Sequence, residues 1–162
     1  MRLITHTDFD GVACAVLISE VEEVDEVVFL DPATIQQKKI PITSNDIISD
    51  LPFHPKCGIW LDHHASSRQK EGVKFEGAWE PKKSAARVVY DYYDSEYLQK
   101  YSEFVDWADK IDSGEITPDE AINPKGWRLL SETLESSAPK KEDDEYMRRV
   151  SSWITKGEKV ET

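Results

Sequence analysis

The sequence predicts an α/β fold: an open, mostly parallel sheet flanked by helices, followed by a helical C-terminal part. In the first half of the chain, short apolar runs alternate with helical patterns. These runs are continuously apolar, which is typical of parallel strands covered on both faces. From residue 84 onward, apolar residues recur at the spacing of helices. We therefore expect a single domain over residues 1–162, with an α/β core at 1–115 and a helical extension at 116–162.

Short apolar runs followed by polar residues predict the strands. They lie at residues 2–5, 25–30, 46–49 and 57–61. The long apolar run that begins at Val12 predicts a helix packed on the sheet.

Helical periodicity dominates the second half. Ser84 is placed to cap a helix in which Ala85, Val88, Val89 and Tyr92 share one face. Further helices are predicted at 97–111, from Pro118 onward, at 127–134 and at 146–154.

The chain is acidic: 32 Asp and Glu residues against 20 Lys and Arg give a formal net charge of −12. This disfavours a general nucleic-acid coat protein or a basic membrane-surface protein, because both need a positive field. No run approaches the ~18 apolar residues of a membrane span, and the early acidic residues do not fit a signal peptide. Cys14 and Cys57 are isolated in apolar stretches, so we expect two buried thiols. We expect a cytoplasmic protein without a membrane partner.

Histidine and aspartate follow three of the predicted strands. The sequence HTDFDG occupies residues 6–11 after the first strand, Asp50 follows the third, and DHH occupies residues 62–64 after the fourth. In a parallel sheet the carboxyl ends of the strands face one crevice, where ligands bind. These side chains should therefore meet at one edge. Asp31 and Asp46 are instead interpreted as caps or turn formers, and His54 as structural.

Crowded carboxylates raise one another's pKa, and a divalent cation removes that conflict. Mixed imidazole and carboxylate ligands suit Mn²⁺, Fe²⁺ or Zn²⁺. The number of candidates suits two ions about 3.5–4 Å apart that share a carboxylate. Gly11 would let the chain turn tightly into the following helix. The pattern predicts a two-metal hydrolase of phosphate esters.

The motifs at 6–11, 49–52 and 61–64 resemble, in order and spacing, the first three motifs of the DHH phosphoesterase superfamily. That superfamily includes RecJ-like exonucleases, nano-RNases, cyclic-dinucleotide phosphodiesterases, exopolyphosphatases and manganese-dependent pyrophosphatases. The resemblance covers residues 1–115 and implies a DHH-type N-terminal domain. Asp112 is the better match to the fourth motif and Asp109 is the alternative. Asp106 completes a row along the helix, so spacing alone does not decide between them.

The resemblance also implies residue roles and a cofactor, two Mn²⁺ ions, with Mg²⁺, Co²⁺ or Fe²⁺ as alternatives. The implied metal ligands are His6 and Asp8 for one ion, Asp10, His63 and Asp112 for the second, and Asp50 as a bridge. The implied catalytic residues are Asp62 and His64. Asp62 would orient the neighbouring imidazoles, and His64 would face the substrate phosphate or protonate the leaving oxygen. A water activated by the two metals would attack phosphorus.

Residues 68–87 carry six basic residues against three acidic ones. We expect an exposed loop and hairpin there, with Arg68 and Lys83 as contacts for a substrate phosphate.

The resemblance departs from the family in one respect, because many DHH enzymes carry a C-terminal substrate domain that the residues after 115 do not resemble. The chain is therefore either a minimal member or part of a longer protein. We expect an exopolyphosphatase-like phosphohydrolase acting on a small phosphorylated substrate or polyphosphate. One alternative is a single-strand exonuclease, or a phosphodiesterase of oligonucleotides or cyclic dinucleotides. Another is a non-catalytic module that binds metal or nucleotide. The oligomeric state is not determined by the sequence, and exposed aromatic residues on the C-terminal helices could form the interface of a homodimer.

Overall fold

A computed structural model describes residues 1–134 and 141–157, so residues 135–140 and 158–162 of the predicted extension lie outside the described residues. The described chain contains five strands: β1 (Arg2–His6), β2 (Glu26–Leu30), β3 (Asp46–Ser49), β4 (Ile59–Asp62) and β5 (Gly77–Trp79). All pair in parallel, in the order β2-β1-β3-β4-β5. The predicted α/β fold class with a parallel sheet is confirmed.

The described residues also form seven α-helices: α1 (Phe9–Val21), α2 (Pro32–Gln36), α3 (Ala85–Tyr93), α4 (Ser102–Asp112), α5 (Pro118–Ile122), α6 (Gly126–Leu134) and α7 (Lys141–Thr155). The helix predicted at 97–111 is divided, because a 3-10 helix over Glu96–Tyr101 precedes α4. Ser84 caps α3 as predicted, since its hydroxyl accepts from the backbone N–H of Arg87.

Strand β5 corrects the prediction of a hairpin within residues 68–87. It pairs in parallel with β4 and is only three residues long, too short for a sequence pattern to reveal. Gly77 has a φ of +117°, and a Cβ there would lie 2.0 Å from the Trp60 carbonyl oxygen. The close approach of the two strands at this point therefore requires glycine.

The two faces of the sheet are covered differently. Helix α1 is buried along Phe9–Ile18 and packs between the sheet and helices α3, α4 and α7. A helix that is apolar all round belongs inside a core in this way. The opposite face is covered by α2 and irregular segments around Trp60, whose indole N–H donates to the Leu51 carbonyl at 2.9 Å.

Asp46 is a turn former, as predicted, and also has a second role that the sequence did not predict. Its backbone N–H closes a turn by donating to the Thr43 carbonyl at 3.1 Å. It lies buried within β3, and Arg2 Nε donates to its Oδ1 at 2.8 Å. Its Oδ2 also accepts from the Thr43 backbone N–H. Asp31 caps α2, and His54 accepts from the Lys56 N–H in a turn, so the interpretations of these two residues are confirmed as well.

Helix α7 covers the outer edge of β2. Asp144 accepts a hydrogen bond from the Phe29 N–H at 3.1 Å, and Arg148 donates to the Val27 carbonyl at 3.3 Å. These side chains bind backbone groups that a sheet edge leaves unpaired.

Both cysteines are free; Cys14 is buried and Cys57 partly so, which largely agrees with the two predicted thiols. Within residues 1–134 and 141–157, the helices are too short or too polar to cross a membrane.

The strand order locates a ligand crevice. Strands β1 and β3 lie side by side in the middle of the sheet. From β1 the chain continues to β2 at one edge, and from β3 it continues to β4 in the opposite direction. Open parallel sheets bind ligands outside the carboxyl ends of the strands at such a switch point. The predicted histidines and aspartates lie at this place.

Candidate metal centre

Three overlapping groups of side chains meet at the carboxyl ends of β1, β3 and β4. They are Asp50 with Asp62, His63 and His64; His6 with Asp8 and Asp50; and Asp10 with His63 and Asp112. Within each group, the potential ligand atoms lie within 4.8 Å of one another. The fold thus brings together all eight residues predicted as metal ligands or catalytic groups. Their individual roles stay predictions.

Asp50 lies at the centre of this cluster. Its backbone has a φ of +55°, a left-handed conformation that is uncommon outside glycine and more tolerated in Asp and Asn. Its carboxylate lies 3.7 Å from His6 Nδ1 and 3.8 Å from His63 Nε2. Burial, together with the charges of Asp10 and Asp8, raises the pKa of Asp50 well above its usual value.

Asp8 is both a helix cap and a member of the cluster. Its Oδ1 accepts from the Gly11 N–H at 2.8 Å at the start of α1, and its Oδ2 lies 2.6 Å from His6 Nδ1. Burial is the largest single influence and opposes the charged forms of His6 and Asp8, but their hydrogen bond and their charge attraction together outweigh it. The pKa of His6 is therefore raised and that of Asp8 lowered. Gly11 is required by space, since a Cβ would lie 2.0 Å from the His6 carbonyl oxygen.

Asp10 is bound by the first turn of α3. Its two carboxylate oxygens accept from the N–H groups of Ala85 at 2.7 Å and Ala86 at 2.8 Å. Burial and the charges of Asp112 and Asp8 nevertheless raise the pKa of Asp10 well above its usual value.

His63 presents one ring nitrogen to the carboxylates. A backbone carbonyl can only accept, so Nδ1 donates to the Lys82 oxygen at 3.1 Å. In the neutral ring, Nε2 is then an unprotonated acceptor. It lies 3.3 Å from Asp112 Oδ2 and 3.8 Å from Asp10 Oδ2.

Asp62 and His64 form a hydrogen-bonded pair beside this group. His64 Nδ1 lies 2.8 Å from Asp62 Oδ1, and this bond is the main cause of the raised pKa of His64. Asp62 is fully buried, whereas 44% of the His64 side chain is exposed. Because Nδ1 is engaged by Asp62, Nε2 is the ring nitrogen of His64 that remains for other contacts.

The structure distinguishes the two aspartates that spacing could not separate. Asp112 lies beside His63, whereas Asp109 accepts from Ser84 Oγ at 2.7 Å and from Arg87 Nε at 2.9 Å. Burial raises the pKa of Asp112. The geometry therefore brings Asp112 into the cluster.

The two predicted phosphate contacts differ in their surroundings. Arg68 is exposed, with its guanidinium 5.4 Å from the centre of the Trp79 ring. Trp79 Nε1 in turn donates to the His64 carbonyl at 2.9 Å, so Arg68 lies beside the cluster. Lys83 instead forms an exposed ion pair with Glu115 at 2.7 Å. Its predicted phosphate contact stays a prediction.

Trp79 and the partners of Asp109 were not predicted from the sequence. Trp79 ends β5, the strand that carried too short a pattern to predict. Ser84 was identified as a cap, but nothing in the sequence indicated that its hydroxyl also binds Asp109.

Unpaired acceptors inside the cluster suit a divalent cation. Both carboxylate oxygens of Asp50, Oδ2 of Asp62 and Nε2 of His63 are buried without a hydrogen-bond partner. Leaving such groups unpaired is costly, and a cation satisfies acceptors that face one another. Carboxylate oxygens and imidazole nitrogens fit Mn²⁺ and similar ions. Fold and site thus define a parallel α/β protein with a candidate divalent-metal centre.

The chain is similar to a solved phosphodiesterase structure. This is the pGpG-specific phosphodiesterase PggH from Vibrio cholerae, with a TM-score of 0.80 and 31% sequence identity over 95% of this chain and 52% of that one. The chain therefore spans about half the length of that protein. An uncharacterized protein from Helicobacter pylori G27 matches with 14% identity over 99% of this chain and 58% of that one, and its TM-score of 0.49 supports no argument. No protein-family model and no curated protein match the chain.

Proposed function

We propose that this chain is a divalent-metal-dependent phosphodiesterase of the DHH superfamily that cleaves short oligonucleotides, with a linear dinucleotide such as pGpG as the preferred substrate. The observation that carries the proposal is the buried Asp50 carboxylate, unpaired at the centre of the cluster. The similarity to a pGpG-specific phosphodiesterase supports hydrolysis of phosphoester bonds. It favours the oligonucleotide alternative over the leading expectation of a small phosphorylated substrate or polyphosphate.

The cluster divides into two sets of metal ligands in this proposal. His6 and Asp8 would hold one ion, and Asp10, His63 and Asp112 would hold the second. Asp50 would contribute to both, because its carboxylate lies 3.7 Å from His6 Nδ1 and 3.8 Å from His63 Nε2. Two Mn²⁺ ions bound there would supply an activated water near neutral pH and would offset the negative charge of the phosphate.

The remaining side chains would handle the proton and the substrate. His64, held at Nδ1 by Asp62, has a raised pKa and would donate a proton from Nε2 to the leaving oxygen. Arg68 would bind a phosphate oxygen from its position over Trp79.

The test is a substrate panel with the purified chain and Mn²⁺: pGpG, a cyclic dinucleotide, a short oligonucleotide, pyrophosphate and polyphosphate. We expect pGpG to be cleaved fastest and a chelator to abolish turnover. His63→Ala and Asp10→Ala should abolish turnover, whereas His54→Ala, which changes a histidine outside the cluster, should retain it.

Two results would contradict the proposal: unchanged turnover in His63→Ala or Asp10→Ala, or no turnover of any substrate in the panel. Elemental analysis of protein purified without chelator addresses the non-catalytic alternative. About two equivalents of Mn support the enzyme. Bound metal without turnover would favour the binding module.

A further inference from the structure

We infer that the segment 82–87 positions the Asp10–His63–Asp112 group, and thereby sets its metal affinity separately from that of the His6–Asp8–Asp50 group. The inference rests on the metal binding in the proposed function. Hydrogen bonds from this one segment reach two members of the group directly and the third through α4.

The first contact orients His63. The Lys82 carbonyl accepts from Nδ1, which leaves Nε2 facing Asp112 and Asp10. Carbonyls that bind the second ring nitrogen fix both the tautomer and the orientation of a metal-binding histidine.

The second contact holds Asp10. The N–H groups of Ala85 and Ala86 have no partner within α3, because they lie in its first turn. Both donate to Asp10, one to each oxygen, so the carboxylate is held in one plane against the end of the helix.

The third contact acts through α4. Ser84 Oγ and Arg87 Nε donate to the two oxygens of Asp109, whose side chain is only 15% exposed. Asp112 lies three residues later and therefore on the same face of the helix. The contacts of Asp109 with the start of α3 thus fix the rotation of α4 about its own axis. In this rotation, the Asp112 carboxylate faces His63.

The His6–Asp8–Asp50 group is organised by other elements. Asp8 is held by the Gly11 N–H and by His6, and Asp50 by the backbone at the end of β3. Within residues 1–134 and 141–157, no hydrogen bond or ion pair that we observe joins the segment 82–87 to these three residues. A change in the segment should therefore affect one metal site far more than the other.

The experiment is calorimetric titration of the chain with MnCl2, without substrate, comparing wild type with Asp109→Asn. Wild type should show two binding events. Asp109→Asn should lower the Mn²⁺ affinity of one event about 10- to 100-fold, which is the usual effect of losing a group that orients a metal ligand. The Mn²⁺ affinity of the other event should stay within about twofold of wild type. Ser84→Ala should do the same and replaces Asp109→Asn if that variant does not fold, as judged by circular dichroism.

Two backgrounds identify the affected site. In His6→Ala, which keeps the Asp10–His63–Asp112 group, Asp109→Asn should produce the full loss of affinity. In Asp112→Ala, which keeps the His6–Asp8–Asp50 group, adding Asp109→Asn should change the Mn²⁺ affinity less than about twofold. The matched control is Asp106→Asn, because Asp106 is the other carboxylate partner of Arg87 and its side chain is 71% exposed. This variant should leave the Mn²⁺ affinity of both binding events within about twofold of wild type.

Equal weakening of both events, or no change in either, would overturn the inference while leaving the proposed function intact. A wild-type chain that binds no Mn²⁺ would overturn both. Two bound ions and a selective effect of Asp109→Asn without phosphodiesterase activity would support the inference and contradict only the proposed function.

Discussion

Asp50 and Asp8 each combine a structural and a candidate functional role. Asp8 caps α1 with one oxygen and contacts His6 with the other. Asp50 adopts a left-handed backbone and keeps a buried, unpaired carboxylate among other acids. Such arrangements are unfavourable unless a ligand compensates, and they cluster at functional sites. We therefore expect the Asp50 carboxylate to lower the stability of the metal-free fold and to strengthen metal binding.

Asp50→Asn tests both expectations. In the metal-free chain at neutral pH, removing the buried charge should raise the free energy of unfolding by about 1–3 kcal/mol. In wild type, Mn²⁺ at about 100 times its Kd should add about 2.7 kcal/mol per site by mass action, and Asp50→Asn should lose most of this gain. Denaturant unfolding with and without Mn²⁺ measures both effects. A variant less stable without metal, or one that keeps the wild-type Mn²⁺ effect, would contradict the assignment.

Helices α3 and α7 show how side chains and helix ends complete this sheet. The first turn of α3 binds Asp10, which lies 75 residues earlier in the chain. Asp144 and Arg148 of α7 bind the outer edge of β2, which would otherwise present unpaired backbone groups. The contacts of α7 are consequently expected to keep the protein from associating through that edge.

The double variant Asp144→Ala with Arg148→Ala should expose the edge of β2. Loss of two hydrogen bonds should lower the free energy of unfolding by about 1–3 kcal/mol, and the freed edge should increase self-association. Light scattering after size-exclusion chromatography measures association, and thermal unfolding measures stability. Arg149→Ala, on the exposed side of α7, is the matched control. Equal behaviour of control and double variant would rule out the protective role.

The whole molecule carries a formal charge of −12 around a site proposed to bind phosphates. Two divalent ions would offset four of those charges at the cluster, while the rest stays on the chain. A negative surface repels a long polyanion more than a short one, and salt screens that repulsion. Substrate length should therefore matter in this protein.

We predict that kcat/KM at low salt is higher for a dinucleotide than for a ten-nucleotide single strand. Raising the salt concentration should narrow the difference, because screening reduces the extra repulsion of the longer strand. Steady-state rates for both substrates, with Mn²⁺ held saturating, provide the measurement. A longer strand cleaved as efficiently at low salt, or a ratio that salt leaves unchanged, would be inconsistent with this prediction.

The sequence by itself determined the α/β class, the helix caps at Ser84 and Asp31, and the set of histidines and aspartates at the strand ends. These features are local, because apolar runs and the polar residues after them are visible within a few positions. Only the tertiary structure showed β5, the binding of Asp10 by α3 and the choice of Asp112 over Asp109. Asp106, Asp109 and Asp112 share one helix face, so local spacing is the same for each. Their difference arises when Arg87 and Ser84, some 20 residues away, dock on Asp109, a contact that depends on packing between helices rather than on any local pattern.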